Sequence, residues 1–210
     1  MNRILILCAH PDLAHSRVTR QMLAQLAALP PGPTQIACRD LYALYPDYVI
    51  DVAAEQQALR EADLLVWLHP LHWYGMPALL KLWVDEVFGF GWAYGPGGDA
   101  LCGKDLWLVS STGGAASAYR EDGYNRHPIE AFLLPYTQTA RLCGLRFLPP
   151  LFLHGAHRAS EAELQQHASG FVQQLLNYPN WCGQAPGGPV APADRVPGDE
   201  RPAPDAQETF

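Results

Sequence analysis

Leu64 to Leu68 (LLVWL) is an unbroken apolar run with no polar residue alternating through it. A strand of that composition has to be covered on both faces, as a parallel sheet between two helical layers provides. The run stops at His69-Pro70. A loop carrying Leu71, His72, Trp73, Tyr74 and Gly75 follows, and Met76-Pro77 opens an apolar helix, proline being suited to a first helical turn. Open α/β sheets bind ligands just beyond the carboxyl ends of their strands. A loop there that spends two aromatics on exposure is expected either to face a flat ligand or to form a core cap or subunit contact.

The rest of the chain repeats this strand-loop-helix unit. Asn2 to Cys8 reads as a buried strand, followed by the loop AHPDLAHS, with Ser16 as N-cap of a helix whose apolar stripe is Val18, Met22, Leu26 and Leu29. Thr34 to Asp40 is a second strand. A polar and aromatic loop then leads to Asp51, the N-cap of a helix over Val52 to Ala62. The helix Pro77 to Phe88 is apolar around more of its circumference than one sheet covers, so its second face should meet a partner subunit or the connection that follows, Phe88 to Gly103. Asp105 to Ser110 is a fourth strand ending in Ser111-Thr112-Gly113-Gly114, where two adjacent glycines allow a close approach. Ile129 to Cys143 is expected to be helical with an early kink at Pro135. Leu145 to Leu153 holds a last strand interrupted by Pro149-Pro150, and Ser160 with Glu163 forms a capping box for the final helix. Five strands alternating with five helices predict an α/β doubly wound parallel sheet of the flavodoxin-like order 2-1-3-4-5.

Composition narrows the function. A net charge of -7 argues against binding nucleic acid or anionic lipid. Five cysteines without a CxxC pair suggest neither a disulfide framework nor a zinc site, and His154 with His157 reads as a solvated loop rather than a metal pair. Ile4 to Ala9 is too short for a signal peptide and no run reaches membrane-spanning length, so a cytoplasmic protein is expected. Residues 1–182 are expected to form one domain. Gly183 to Phe210, with six prolines and a net charge of -3 in 28 residues, reads as a disordered tail.

In the order 2-1-3-4-5, strands one, three and four are neighbours, so the loops His10 to Ser16, Pro70 to Gly75 and Ser111 to Gly114 converge. The first ends at a helix N-terminus bearing Ser16, Arg17 and Thr19, which suits a phosphate. GxGxxG and GxxxxGK[ST] are both absent, which disfavours a Rossmann fingerprint and a Walker loop. A phosphate cradle, an aromatic wall and a glycine-exposed backbone together suit a planar cofactor with one phosphate, a flavin.

The stretches AHPDLAHS, LYPDYVIDVAAEQQALREADLLVWLHPLHWYGMPALLKLWVDEVF, GWAYGPGG and STGG resemble the flavodoxin-like NAD(P)H:quinone oxidoreductases of the DT-diaphorase family, and most nearly the ancillary flavoproteins of bacterial glutathione-gated potassium efflux systems. The resemblance spans Asn2 to Tyr178. It implies bound FMN, with FAD the choice of the animal enzymes, and NADH or NADPH as co-substrate. Hydride would pass to flavin N5 and on to a quinone in a ping-pong cycle. By position, His10 and the segment Ser16, Arg17, Val18 and Thr19 would hold the phosphate. Leu71, His72, Trp73 and Tyr74 would line the isoalloxazine, and Ser111, Thr112, Gly113 and Gly114 would meet its pyrimidine edge. Tyr119 and His127 are similar to the Tyr and His that assist the animal enzymes, at a spacing two residues longer. Thr19 and His72 stand where the efflux-associated relatives carry Asn and Gln. The resemblance further implies a homodimer and, as an alternative primary role, a regulatory subunit docked on the cytoplasmic face of a potassium efflux transporter at the inner membrane. A one-electron carrier of the flavodoxin type is a weaker third reading, such carriers being much more acidic.

Overall fold

The computed structural model, which describes residues 2–183, places β3 (Leu64–Pro70) at the centre of a parallel sheet. On one side lies β1 (Arg3–Cys8), with β2 (Gln35–Asp40) beyond it at the edge. On the other lies β4 (Asp105–Ser111), which pairs with two short strands, β5 (Arg146–Phe147) and β6 (Leu151–Leu153). The order is the expected 2-1-3-4-5, with β6 as an added strand on β4. The fifth strand divides at Pro149-Pro150, because proline has no N–H to give a ladder. β3 and β4 each run past the apolar residues that signalled them, to Pro70 and Ser111, which stand side by side.

The lack of alternation in LLVWL follows from burial on both sides. Leu64, Val66 and Leu68 pack with Ile4, Ile6, Met22 and Phe171 beneath α1 (Val18–Ala27) and α6 (Glu161–Leu176). Leu65 and Trp67 pack with Leu5, Leu7, Leu80, Trp83 and Tyr136 on the opposite face, beneath α3 (Val52–Glu61), α4 (Ala78–Val87) and α5 (Leu134–Leu142).

Caps define most helix starts. Ser16 Oγ accepts from Thr19 N–H at 3.0 Å, Asp51 accepts from Ala54 N–H at 3.0 Å, and Ser160 and Glu163 form the complete capping box. The expected loop after β2 instead begins with a short helix, α2 (Leu41–Leu44), because the Asp40 carboxylate accepts from Tyr42 and Ala43 N–H and starts a turn at the point where it seemed only to close a strand. The helix expected over Ile129 to Cys143 is two pieces: a 3-10 segment, Ile129–Leu133, and then α5, with Pro135 in its first turn rather than at a kink. Around α4, the following connection supplies buried Ala93 and Leu101 to the same core, while Leu82 and Val84 stay half-buried. The connection thus covers part of the second apolar face. The expected tail lies beyond Gly183, outside the described residues.

Two buried carboxylates tie the periphery together. Glu55, fully buried in α3, accepts from Arg39 of β2 at 2.6 Å and from the Tyr45 hydroxyl. Asp105, at the amino end of β4, accepts two bonds from Arg146 at 2.6 and 2.7 Å and one from the Tyr178 hydroxyl at 2.8 Å. The second cluster sits at the opposite sheet edge from the carboxyl ends, joining β4 to β5 and to the turn after α6.

His69 is enclosed near the end of β3. Pro70 O can only accept, so His69 Nδ1 is protonated and donates to it at 2.9 Å, and the ring stacks on Tyr136 with centroids 5.9 Å apart. Burial pushes its pKa from 6.5 down to about 4. Between those values the unfolded chain binds a proton that the native state refuses, so stability falls as pH falls through this window, by about 3 kcal/mol in all. In urea unfolding at pH 7 and pH 4, a His69→Phe variant should lose about 3 kcal/mol less than the wild type across the window. Parallel pH curves for the two proteins would contradict the assignment.

Candidate functional site

The three loops that follow β1, β3 and β4 meet at the carboxyl edge of the sheet. Ala9 N–H donates to Leu68 O at 2.9 Å and Leu71 N–H to Ser111 O at 2.8 Å, so the chains leave the ladder side by side. Between them lies a cleft of about 440 Å³. His10, Ser16, Arg17 and Val18 line it from the first loop, Leu71 and His72 from the second, and Ser111, Thr112 and Gly113 from the third. Cleft residues that the sequence reading gave no part in the site are Asp12, His15, Ala156 and His157.

The first wall is an N-terminal helix site. The N–H groups that open α1 have no partner in the helix ladder, and the helix dipole adds partial positive charge. Asp12 N–H donates to His10 Nδ1 at 3.1 Å, which leaves the His10 proton on Nε2, free to donate. Burial first, then the neighbouring His72, lowers the His10 pKa, so the ring acts as a neutral donor. Asp12 is paired with His15 at 2.8 Å, and that bond holds its carboxyl below the usual range. The charge of Arg17 is directed elsewhere: it donates to Glu161 at 2.8 Å and to Ala159 O at 2.9 Å, pinning the loop that carries His157. Thr19 is buried behind the first turn and does not reach the cleft.

The second wall is a tight turn. His72 and Gly75 exchange backbone hydrogen bonds at 3.0 and 2.9 Å, and the two residues between them, Trp73 (φ 48°) and Tyr74 (φ 64°), are both left-handed. That is the geometry of a type I′ turn, which favours Asn and Gly, so two aromatics there carry strain. Trp73 is 94% exposed. Tyr74 stacks on Phe132 with centroids 4.9 Å apart and donates to Asn125 at 3.3 Å. Neither ring lines the cleft itself; they stand at its rim.

The third wall explains the paired glycines. A side chain at Gly113 would meet the His157 ring at 3.3 Å, and one at Gly114 would meet the Tyr119 ring at 3.3 Å. The close approach anticipated at these glycines is thus, in part, to two rings of the chain itself. Tyr119 and His127 do not line the cleft but converge on Phe132, with centroids 6.0 and 6.2 Å from it. Phe132 is therefore the shared support of Tyr74, Tyr119 and His127.

The loop expected at His154 and His157 is a turn with His157 exposed, but it lies against the cleft rather than apart from it. β6 continues alongside the turn after β4, with Ala156 N–H donating to Thr112 O and Gly155 N–H to Gly114 O, and this carries His157 into the cleft. His154 is half-buried against Thr112 at 3.0 Å. The carboxyl-end rule that placed the other three loops applies equally to β6 and would have found both. Among the described residues no group of three metal-ligating side chains gathers.

A model of the flavodoxin-like fold matches residues 2–175. The glutathione-regulated potassium-efflux system ancillary protein KefF of Enterobacter sp. (strain 638) is 45% identical over 177 residues, covering 83% of this chain and 96% of that protein. The general stress protein 14 of Treponema denticola, solved in complex with FMN, is 36% identical with a TM-score of 0.73, covering 83% of this chain and 98% of the other. An NADPH-quinone reductase from P. pentosaceus is 27% identical with a TM-score of 0.70, covering 82% and 96%. A solved chain 38% identical goes by the name of a thermophilic tryptophan halogenase, so names alone do not settle the reaction within this fold. By its fold, by the match across residues 2–175 and by these relatives, the chain belongs to the flavodoxin-like family of the NAD(P)H:quinone oxidoreductases and the potassium-efflux ancillary proteins.

Proposed function

We propose that the cleft holds FMN and that the protein is an NAD(P)H:quinone oxidoreductase. The observation that carries the reading is the meeting, in one cleft, of a helix N-terminus with a neutral His10 donor and a glycine turn, with an aromatic rim beside them. The residues fit the group. The opening N–H groups of α1, Ser16 and His10 offer neutral donors to a phosphate. Leu71 and His72 offer a wall for a flat ring, with Trp73 and Tyr74 at its rim, and the N–H groups around Gly113 face its polar edge, where donors stabilise negative charge. Bound flavin would supply two-electron chemistry, taking hydride from NADH or NADPH and passing the electron pair to a quinone, which takes up protons to become the hydroquinone. Tyr119, against Gly114, and His127, which shares the Phe132 support, would be the side chains to assist the acceptor.

The strained, 94% exposed Trp73 and the half-buried Leu82 and Val84 favour a homodimer. A second reading, a regulatory subunit on a potassium efflux transporter, is favoured by the 45% identity to an ancillary protein of such a system. A cytoplasmic protein suits both. Among the described residues no helix is long and apolar enough to cross a membrane, so a transporter would be met through a protein contact.

The purified protein should bind added FMN, and with a soluble quinone it should oxidise NADH or NADPH on the order of 10 times per second. A colourless protein after FMN addition, or no nicotinamide oxidation, would sink the proposal. His10→Ala should weaken FMN about tenfold, the size of one hydrogen bond to a charged group, and leave riboflavin, which lacks the phosphate, within twofold. Equal losses for both ligands would place His10 away from the phosphate. Trp73→Asn should relieve the left-handed strain and raise Tm by about 2–4 °C while weakening FMN about fivefold. A lower Tm in calorimetry would contradict the strain assignment.

A further inference from the structure

His154 belongs to none of the roles described so far, yet it touches the glycine turn directly. The Thr112 hydroxyl has one hydrogen, which it donates to Gly114 O at 2.7 Å, so toward His154 it can only accept. The contact at 3.0 Å is therefore a bond from His154 Nδ1–H to Thr112 Oγ1. Burial lowers the His154 pKa and Glu130 acts in the opposite sense, so the ring is neutral at pH 7, with Nε2 unprotonated. The ring is held on two sides: it stacks on Phe152 with centroids 5.4 Å apart at 13°, and lies 5.4 Å from Tyr119 at 42°. Thr112 is itself pinned through its backbone, its N–H donating to Leu153 O and its carbonyl accepting from Ala156 N–H, both at 2.9 Å. Gly114 O accepts from both the Thr112 hydroxyl at 2.7 Å and Gly155 N–H at 2.8 Å, so the orientation of the Thr112 hydroxyl bears directly on the turn.

We propose that His154 is a positioning residue that sets the Ser111–Gly114 turn through its bond to Thr112, so that the backbone donors of the turn are presented in one fixed arrangement. The inference rests on the flavin reading of the cleft for its consequence, but the positioning itself is a property of the empty protein. His154→Asn places an amide N–H near the position of Nδ1 and keeps the bond, whereas His154→Phe keeps the stacked ring and loses it. Two measurements read the difference: hydrogen exchange of residues 113–119 in the apoprotein, and the dissociation constant for FMN.

His154→Phe should exchange several-fold faster across 113–119 and bind FMN about fivefold more weakly, the size of one neutral hydrogen bond. His154→Asn should return both within about twofold of the wild type, and in a Thr112→Val background the His154→Phe effect should shrink below about twofold, because the two residues act through one bond. Unchanged exchange in His154→Phe, equal behaviour of the Phe and Asn variants, or a full His154→Phe effect without the Thr112 hydroxyl would each overturn the inference. If the wild type fails to bind FMN, the flavin reading falls and the exchange comparison still decides the role of His154.

Discussion

The backbone of β3 is the constraint from which the rest follows. Its side chains are buried on both faces, so every N–H and C=O along it must find a partner in a neighbouring strand. β1 satisfies it on one side as far as Leu68 and β4 on the other as far as Pro70. Pro70, which has no N–H to give, falls where β1 has already left the ladder, so the missing donor is tolerated. Because all pairings are parallel, the three chains end at the same edge, and each must pass through a loop there before returning as a helix. A shared cleft is thus a by-product of satisfying one buried strand. What the loops carry decides whether it is a site.

The loops depart from the backbone economy of the core. β1, β3 and β4 take ordinary extended geometry and apolar packing, whereas the turn after β3 holds two aromatics at positive φ and the turn after β4 has two glycines crowded by rings. Both departures cost stability and both are placed on rigid strand ends, where the surrounding ladder over-determines them. The aromatic support at Phe132 serves the same end from the far side. It comes from the 3-10 segment before α5 and receives Tyr74, Tyr119 and His127, fixing three rings that would otherwise move independently.

Much of the architecture was legible in the residues because it rests on local rules. Apolar runs gave the central strands, and Ser16, Asp51 and Ser160 marked helix starts by side-chain chemistry that works within four residues. The double proline likewise announced the weak last strand. Errors arose where one residue can do two things. Asp40 closes a strand by pattern while its carboxylate also starts α2, and Pro135, a kink by its place in the run, lies in the first turn of a helix. The site was legible as far as the loops of three strands. His154 and His157 lie in the turn after β6, so the carboxyl-end rule reaches them only once the short last strand beside β4 is counted among the strands that build the site. Phe132 carried no local signal at all, being one more apolar residue in a helical pattern.

The electrostatics of the cleft are compatible with the proposed phosphate site despite a net charge of -7. Its obvious cation, Arg17, is engaged by Glu161, and its obvious anion, Asp12, by His15, so neither dominates the space between the loops. What remains is a helix dipole, unpaired backbone N–H groups and a His10 ring kept neutral by burial and by His72. Such a site would recognise a phosphate by the direction of its donors rather than by bulk charge. Its selectivity should therefore depend on where the backbone is held, not on how many positive side chains surround it. On the proposed reading, the long-range contacts that fix loop geometry, Arg17 to Glu161 on one side and His154 to Thr112 on the other, would accordingly serve binding by holding the backbone rather than by supplying charge.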